Sequence, residues 1–221
     1  RSLRNICLDL LAAGGKDDAL DLAARQYEAA DNMTDRMAAL ATLALHKGDR
    51  RERALADFYA RYSSNALIID KWLALQAMIP EAETLDRVRS LMKHKAFDFN
   101  NPNRTRSLIG SFAQANPSQF NRADGHGYEF VADAILMLDP KNPQVAARLA
   151  TAYRTWRSME SGRRSKAETA LTRTKDTAGL SRDVSAIVER TLAAERCAAT
   201  PQNDSIIGLR RANRFLFEIG R

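Results

Sequence analysis

The feature that most constrains this chain is the period of its apolar residues, which recur every three to four positions along nearly its whole length. Residues Met37, Leu40, Ala41 and Ala44 share one helical stripe, as do Leu55, Phe58, Tyr59 and Tyr62, and again Tyr128, Val131, Ile135 and Leu138. Ala19, Leu22, Ala23 and Tyr27 form a further stripe expected to face the core. Such spacing sets one apolar face per helix. No sustained period-two alternation of β-branched and aromatic residues accompanies it, so strands are not expected.

The stripes are separated by short breaks. Gly14-Gly15 suits a left-handed helix end, and Gly48, Pro80 and Asn116-Pro117 punctuate the chain further on. Asn101 before Pro102 and Asn142 before Pro143 read as caps followed by first-turn prolines. Ser181 is a further cap, with Asp183 placed to meet the positive end of the helix dipole. These breaks predict about eleven helices, over residues 3–13, 16–30, 33–46, 50–62, 66–78, 83–94, 102–115, 127–138, 143–159, 163–177 and 181–194. Short loops imply antiparallel neighbours, and a long series of such pairs stacks into a superhelix. The expected fold is therefore all-α, an irregular α-solenoid.

Charge and chemistry narrow the function. Lysine and arginine exceed acidic residues by seven, all in the second half: residues 101–221 hold 19 basic and 12 acidic side chains. A pI near 9.7 permits nucleic-acid binding. Basic stripes on helices are, however, ordinarily solvated faces, and little aromatic stacking surface accompanies them, so no nucleic-acid partner is expected. No apolar run reaches the roughly 20 residues of a membrane span. The first residue is Arg1 rather than Met, so a piece of a longer polypeptide is expected.

Cys7 and Cys197 lie at opposite ends, outside any CxxC or Cys/His cluster, and read as reduced thiols of a cytoplasmic protein, a disulfide being the alternative. His46, His94 and His126 read as surface or capping residues, and none stands in an H-E-x-x-H pair. Gly125-His126-Gly127 reads as a turn into a helix. Neither a nucleophile elbow nor a phosphate loop is present, so no catalytic residue and no metal ligand is assigned.

Several blocks resemble the C-terminal domain of bacterial aminopeptidase N, of the zinc-dependent gluzincin family. They are FDFNNPNRTRSLIGSF at 97–112, NPSQFNRADGHGY at 116–128, NPQVAARL at 142–149, ADNMTDRMAAL at 30–40, IIDKWLALQA at 68–77 and LSRDVSAIVERTLA at 180–193. They fall in order over residues 1 to about 194, nearly 90% of the chain. The resemblance implies a non-catalytic domain that closes over the cavity of an upstream catalytic domain of the same polypeptide, gates peptide substrates and holds no cofactor itself, zinc lying upstream. It also implies cavity-lining roles for Arg106 and Arg148, with Arg104 and Asn101 as weaker candidates. Two positions depart from the family: Asn121 stands where a histidine is common, and His126 where the paired glycines enclose a serine.

The expected domain spans 1–195, and residues 196–221 form an atypical tail with an apolar cluster at Ile206, Ile207, Leu209, Phe215, Leu216 and Phe217. The alternative reading is a free-standing scaffold of the HEAT or armadillo type.

Overall fold

A computed structural model describes residues 1–193, so the tail and Cys197 lie outside the described residues. Those residues are helical throughout, without strands. In order they form α1 (Ser2–Ala12), α2 (Asp17–Ala29), α3 (Met33–Ala44), α4 (Asp49–Tyr62), α5 (Ala66–Ala77) and α6 (Thr84–Leu91). A central helix follows, made of α7 (Pro102–Thr105), a π-helical turn (Arg106–Gly110) and α8 (Ser111–Ala115). The short α9 (Pro117–Phe120) leads to α10 (His126–Leu138), α11 (Pro143–Ala150), a 3-10 segment (Thr151–Ser158), α12 (Ser161–Lys175) and α13 (Arg182–Ala193).

Asparagine starts five of these helices. The side-chain oxygens of Asn32, Asn65, Asn101, Asn116 and Asn142 each accept from a backbone N–H in the first turn. This satisfies donors that a helix end otherwise leaves unpaired. Proline follows at Pro102, Pro117 and Pro143, where a missing N–H costs nothing. Gly15 takes the left-handed conformation expected of it, with φ of 67°.

Helices pack chiefly on their neighbours in sequence: α2 on α3, α3 on α4, α4 on α5, α5 on α6, then α10 on α11 and α12 on α13. That is the contact pattern of a stacked array. The central helix joins the two halves, since its π turn packs on α5 and on α11. One continuous apolar core runs from Leu8 to Val188.

The structure departs from the sequence reading at four places. The helix expected over 102–115 is interrupted by the π turn, and α9 adds a helical turn where only a bend was expected. The helix expected to run to Met159 tightens at Thr151, whose hydroxyl bonds back to the Arg148 carbonyl at 2.7 Å. A 3-10 turn aligns residues three apart, and it buries Tyr153 and Trp156 together. Leu22, expected to face the core, is 41% exposed, and α2 turns Ala19, Ala23 and Tyr27 inward instead.

Candidate functional site

The four residues singled out in the sequence lie on the central helix and on α11. Asn101 is exposed and caps α7, its Oδ1 accepting from Asn103 N at 2.9 Å and Arg104 N at 3.4 Å. Arg104 turns inward. Its Nη1 donates to the Ala66 carbonyl at 2.8 Å and to Asp70 Oδ1 at 2.5 Å, tying α7 to α5. Its partner Asp70 is buried.

Two residues later the π turn begins, closed by a bond from Ser111 N–H to the Arg106 carbonyl. Single π turns within α-helices are frequent at functional sites because the extra residue re-aims the side chains around it. Here Ser107, Leu108, Ile109 and Gly110 are all buried, and Arg106 alone of the turn is exposed. Its guanidinium folds over the helix start, Nε donating to the Pro102 carbonyl at 3.2 Å and Nη2 to Asn103 Oδ1 at 2.5 Å.

Gly110 faces α11 at ordinary van der Waals distance. A Cβ there would lie 3.9 Å from both Arg106 Cβ and Leu149 Cδ2. Leu149 adjoins Arg148, whose carbonyl accepts from Gln114 Nε2 at 3.3 Å. Arg106, Gln114 and Arg148 are thus exposed side chains on two helices that meet at Gly110. The Arg148 guanidinium has no partner among the described residues.

A shallow groove of about 170 Å³ continues the seam, lined by Phe99, Pro102, Leu138, Lys141 and Val145 among others. Pro102 stands one turn before Arg106, and Val145 one turn before Arg148, so the groove is lined from the same two helices that carry the arginines. Lys141 adds a third cation, its Nζ 3.1 Å from Asn100 Oδ1 and 5.7 Å from the Phe99 ring centre. Guanidinium groups on such a rim can bind a carbonyl or a carboxylate through charged hydrogen bonds. They supply neither a nucleophile nor a general base.

Sequence reasoning missed Gln114, Lys141 and the π turn. Gly110 inside a helix was the available signal, because an interior glycine often marks close approach of another element. No group of three or more His, Cys, Asp and Glu side chains among the described residues is arranged to hold a metal ion. The described residues therefore do not fit a zinc site. His94 accepts from Ala96 N at 3.1 Å and meets Tyr59 edge-on, and His126 lies 3.4 Å from Asp124, so both serve local structure.

Residues 1–193 match the family described as "Domain of unknown function (DUF3458_C) ARM repeats". The chain belongs to this family. Within it, the chain is 38% identical to Aminopeptidase N of Escherichia coli K12 over 193 residues, 87% of this chain and 22% of that protein. It is likewise 38% identical over 192 residues to Aminopeptidase N of Haemophilus influenzae, and 40% identical over 157 residues to that of Caulobacter vibrioides. Among solved structures it resembles Legionella pneumophila aminopeptidase A in complex with aspartic acid, with a TM-score of 0.80 and 31% identity. That superposition covers 86% of this chain and 22% of the other. The chain thus spans about a fifth of the length of the relatives it matches and resembles their C-terminal region. No helix among the described residues is long and apolar enough to cross a membrane.

Proposed function

We propose that this ARM-repeat chain is the helical wall of a peptide chamber in a larger cytoplasmic aminopeptidase, and that Arg106 and Arg148 face the chamber. Catalysis and its zinc belong to an upstream domain of that polypeptide. This chain limits which peptides enter and holds them by a carbonyl or the terminal carboxylate. Asn101 and Arg104 stand at the chamber's edge and fix the turn that carries Arg106. The observation that carries the reading is that Arg106 and Arg148 are exposed on two helices that pack at Gly110, the Arg148 guanidinium without a partner among the described residues. Likeness to three aminopeptidases N supports the peptidase assignment.

The test is a steady-state comparison in the full-length parent polypeptide. A charged hydrogen bond contributes about 1.5–3 kcal/mol. Arg148→Ala should therefore lower kcat/KM for a tripeptide with a free carboxylate about 10–100-fold, with a chromogenic alanyl substrate changed less. Equal values for wild type and for Arg106→Ala and Arg148→Ala on both substrates would sink the chamber role. The reading would then pass to a scaffold that binds a protein on its concave face, which the armadillo description of the family supports.

A further inference from the structure

We propose that Arg154 forms a second anion subsite beyond Arg148, and that the parent polypeptide prefers acidic peptides whose two carboxylates lie about three extended residues apart. This rests on the chamber reading and deepens it by naming a substrate class.

The subsite is a product of the 3-10 segment. That segment continues α11 without a break, since Ala150 and Thr151 both keep right-handed helical backbone angles. A 3-10 helix turns once in three residues, so residues three apart stand in one column. Ala150, Tyr153 and Trp156 make the buried column. Thr151, Arg154 and Arg157 make the column beside it, and Arg148 precedes them in the last α turn. Continued α-helical winding would rotate every third residue by about 60°, and no such column would form.

The column holds cations without anions. Residues 148–166 contain six basic side chains, Arg148, Arg154, Arg157, Arg163, Arg164 and Lys166, against the single acidic Glu160, whereas residues 1–100 hold 15 of each kind. Glu160 is occupied in capping α12, where it accepts from Arg163 N at 2.8 Å and from Gly162 N. Three of the cations are tied to carbonyls: Arg163 to Asn121, Lys166 to Ala123, and Arg157 to Leu192 while lying over the Trp156 ring at 4.5 Å. Arg164, half-buried on α12, is unpaired among the described residues. Arg148 and Arg154 are both exposed on one rod, and neither guanidinium has an acidic or carbonyl partner among the described residues.

Spacing selects the ligand. Three residues at 1.5 Å and three at 2.0 Å set Arg154 roughly 10 Å beyond Arg148 along the rod. An extended peptide covers that length in about three residues. Each guanidinium can take a carboxylate through two parallel hydrogen bonds. A peptide whose terminal carboxylate sits on Arg148, and which lies along the rod, therefore brings the side chain three residues earlier to Arg154. Nucleic acid would need exposed rings for its bases, and Tyr153 and Trp156, the rings of this rod, are buried.

The test uses the full-length parent and the heptapeptide Ala-Gly-Gly-Asp-Gly-Gly-Gly. Its kcat/KM should exceed that of the Asn counterpart about 5-fold at low salt, with the ratio shrinking toward one at about 0.5 M salt. Arg154→Gln should bring the ratio to one, and Arg154→Lys should keep part of it. Arg154 is exposed and unpaired among the described residues, so neither change disturbs packing. The chamber role is read separately, by the ratio of the free acid to its C-terminal amide, which should respond to Arg148→Ala and not to Arg154→Gln. An Asp to Asn ratio of one in wild type, or one that survives Arg154→Gln, overturns the subsite while the acid to amide ratio stands. An acid to amide ratio of one removes the chamber role and the subsite with it. Arg154-dependent binding of oligouridylate without any peptide preference assigns the column to nucleic acid and overturns the proposal as well.

Discussion

Arg104 Nη1 lies 2.5 Å from Asp70 Oδ1 and 2.8 Å from the Ala66 carbonyl, joining two elements that are 34 residues apart in sequence. Asp70 is 4% exposed, so removing the guanidinium leaves a buried carboxylate without its cation. Breaking such a pair costs more than the pair itself contributes, because the remaining charge stays desolvated. Arg104→Ala should destabilise the chain by about 3 kcal/mol and lower Tm by about 6–12 °C. Arg104→Met with Asp70→Leu should recover most of this in a double-mutant cycle. A Tm for Arg104→Ala within a degree of wild type would show that the carboxylate finds another partner.

Gly127 tests how tightly α10 docks on α9. A Cβ there would stand 2.3 Å from the Phe120 carbonyl oxygen and 2.4 Å from that of Gln119, both backbone atoms. Neither can swing aside as a side chain can. Gly127→Ala should therefore cost at least about 2 kcal/mol by thermal melting, despite alanine's better helix propensity. Gly14→Ala, whose new Cβ would meet only the Leu11 carbonyl at 3.6 Å, is the control and should lie within about 0.5 kcal/mol of wild type.

Local signals account for what the sequence made legible. Stripe periodicity placed most helices, and Asn101-Pro102 and Asn142-Pro143 marked two starts, because capping involves only neighbouring residues. What failed depends on distant packing. The π turn packs on α5 and α11, and Asp70 is reached by Arg104 only once the fold forms. Leu22 satisfies the stripe rule yet faces outward, because α2 turns Ala19, Ala23 and Tyr27 to the core instead. Of the candidate site, Arg106 and Arg148 were singled out through family resemblance, whereas Gln114 and Lys141 carry no motif.

Tyr128 sets an alkaline limit. Burial is the main reason its phenol is pushed up from the ordinary 10.0 to about 12. Its hydroxyl donates to Asn121 Oδ1 at 3.0 Å, and its ring meets Phe120 edge-on. An unfolded tyrosine loses its proton first, so this contribution is complete below pH 10 and is lost as pH rises toward 12. Tyr153, fully buried beside it and donating to the Tyr128 carbonyl at 2.5 Å, is raised further by the same cause. Tm should fall steadily above pH 10, with phenolate absorbance at 295 nm appearing as the chain unfolds. Tyr128→Phe should flatten that slope in part. An unchanged slope would mean that Tyr128 is accessible to hydroxide in the folded chain.

Asp35 sets the acid limit and acts on α1. Its carboxylate accepts from Asn32 Nδ2 at 2.9 Å and from Asn5 Nδ2 at 3.1 Å, and pairs with Arg4. Its own N–H donates to Asn32 Oδ1 at 3.0 Å, a reciprocal cap at the start of α3. The Asn32 bond is the largest cause holding the carboxyl below its ordinary 3.8, with Asn5 and Arg4 adding to it against the cost of burial. A lowered carboxyl favours the folded state above 3.8, and that contribution disappears as pH falls through the lower folded value. Since Asn5 and Arg4 both belong to α1, protonation should release α1 before the rest of the array. Hydrogen exchange across an acid titration should show α1 amides losing protection below pH 3.8 while α10 amides keep theirs. Asp35→Asn should melt below wild type at neutral pH, and the two curves should converge in acid as the wild-type carboxyl protonates. Parallel curves over the whole range would show that the Asp35 charge does not hold α1, and the attachment would then rest on Leu8, Ala12 and the Asn5–Gln26 and Asp9–Thr42 hydrogen bonds.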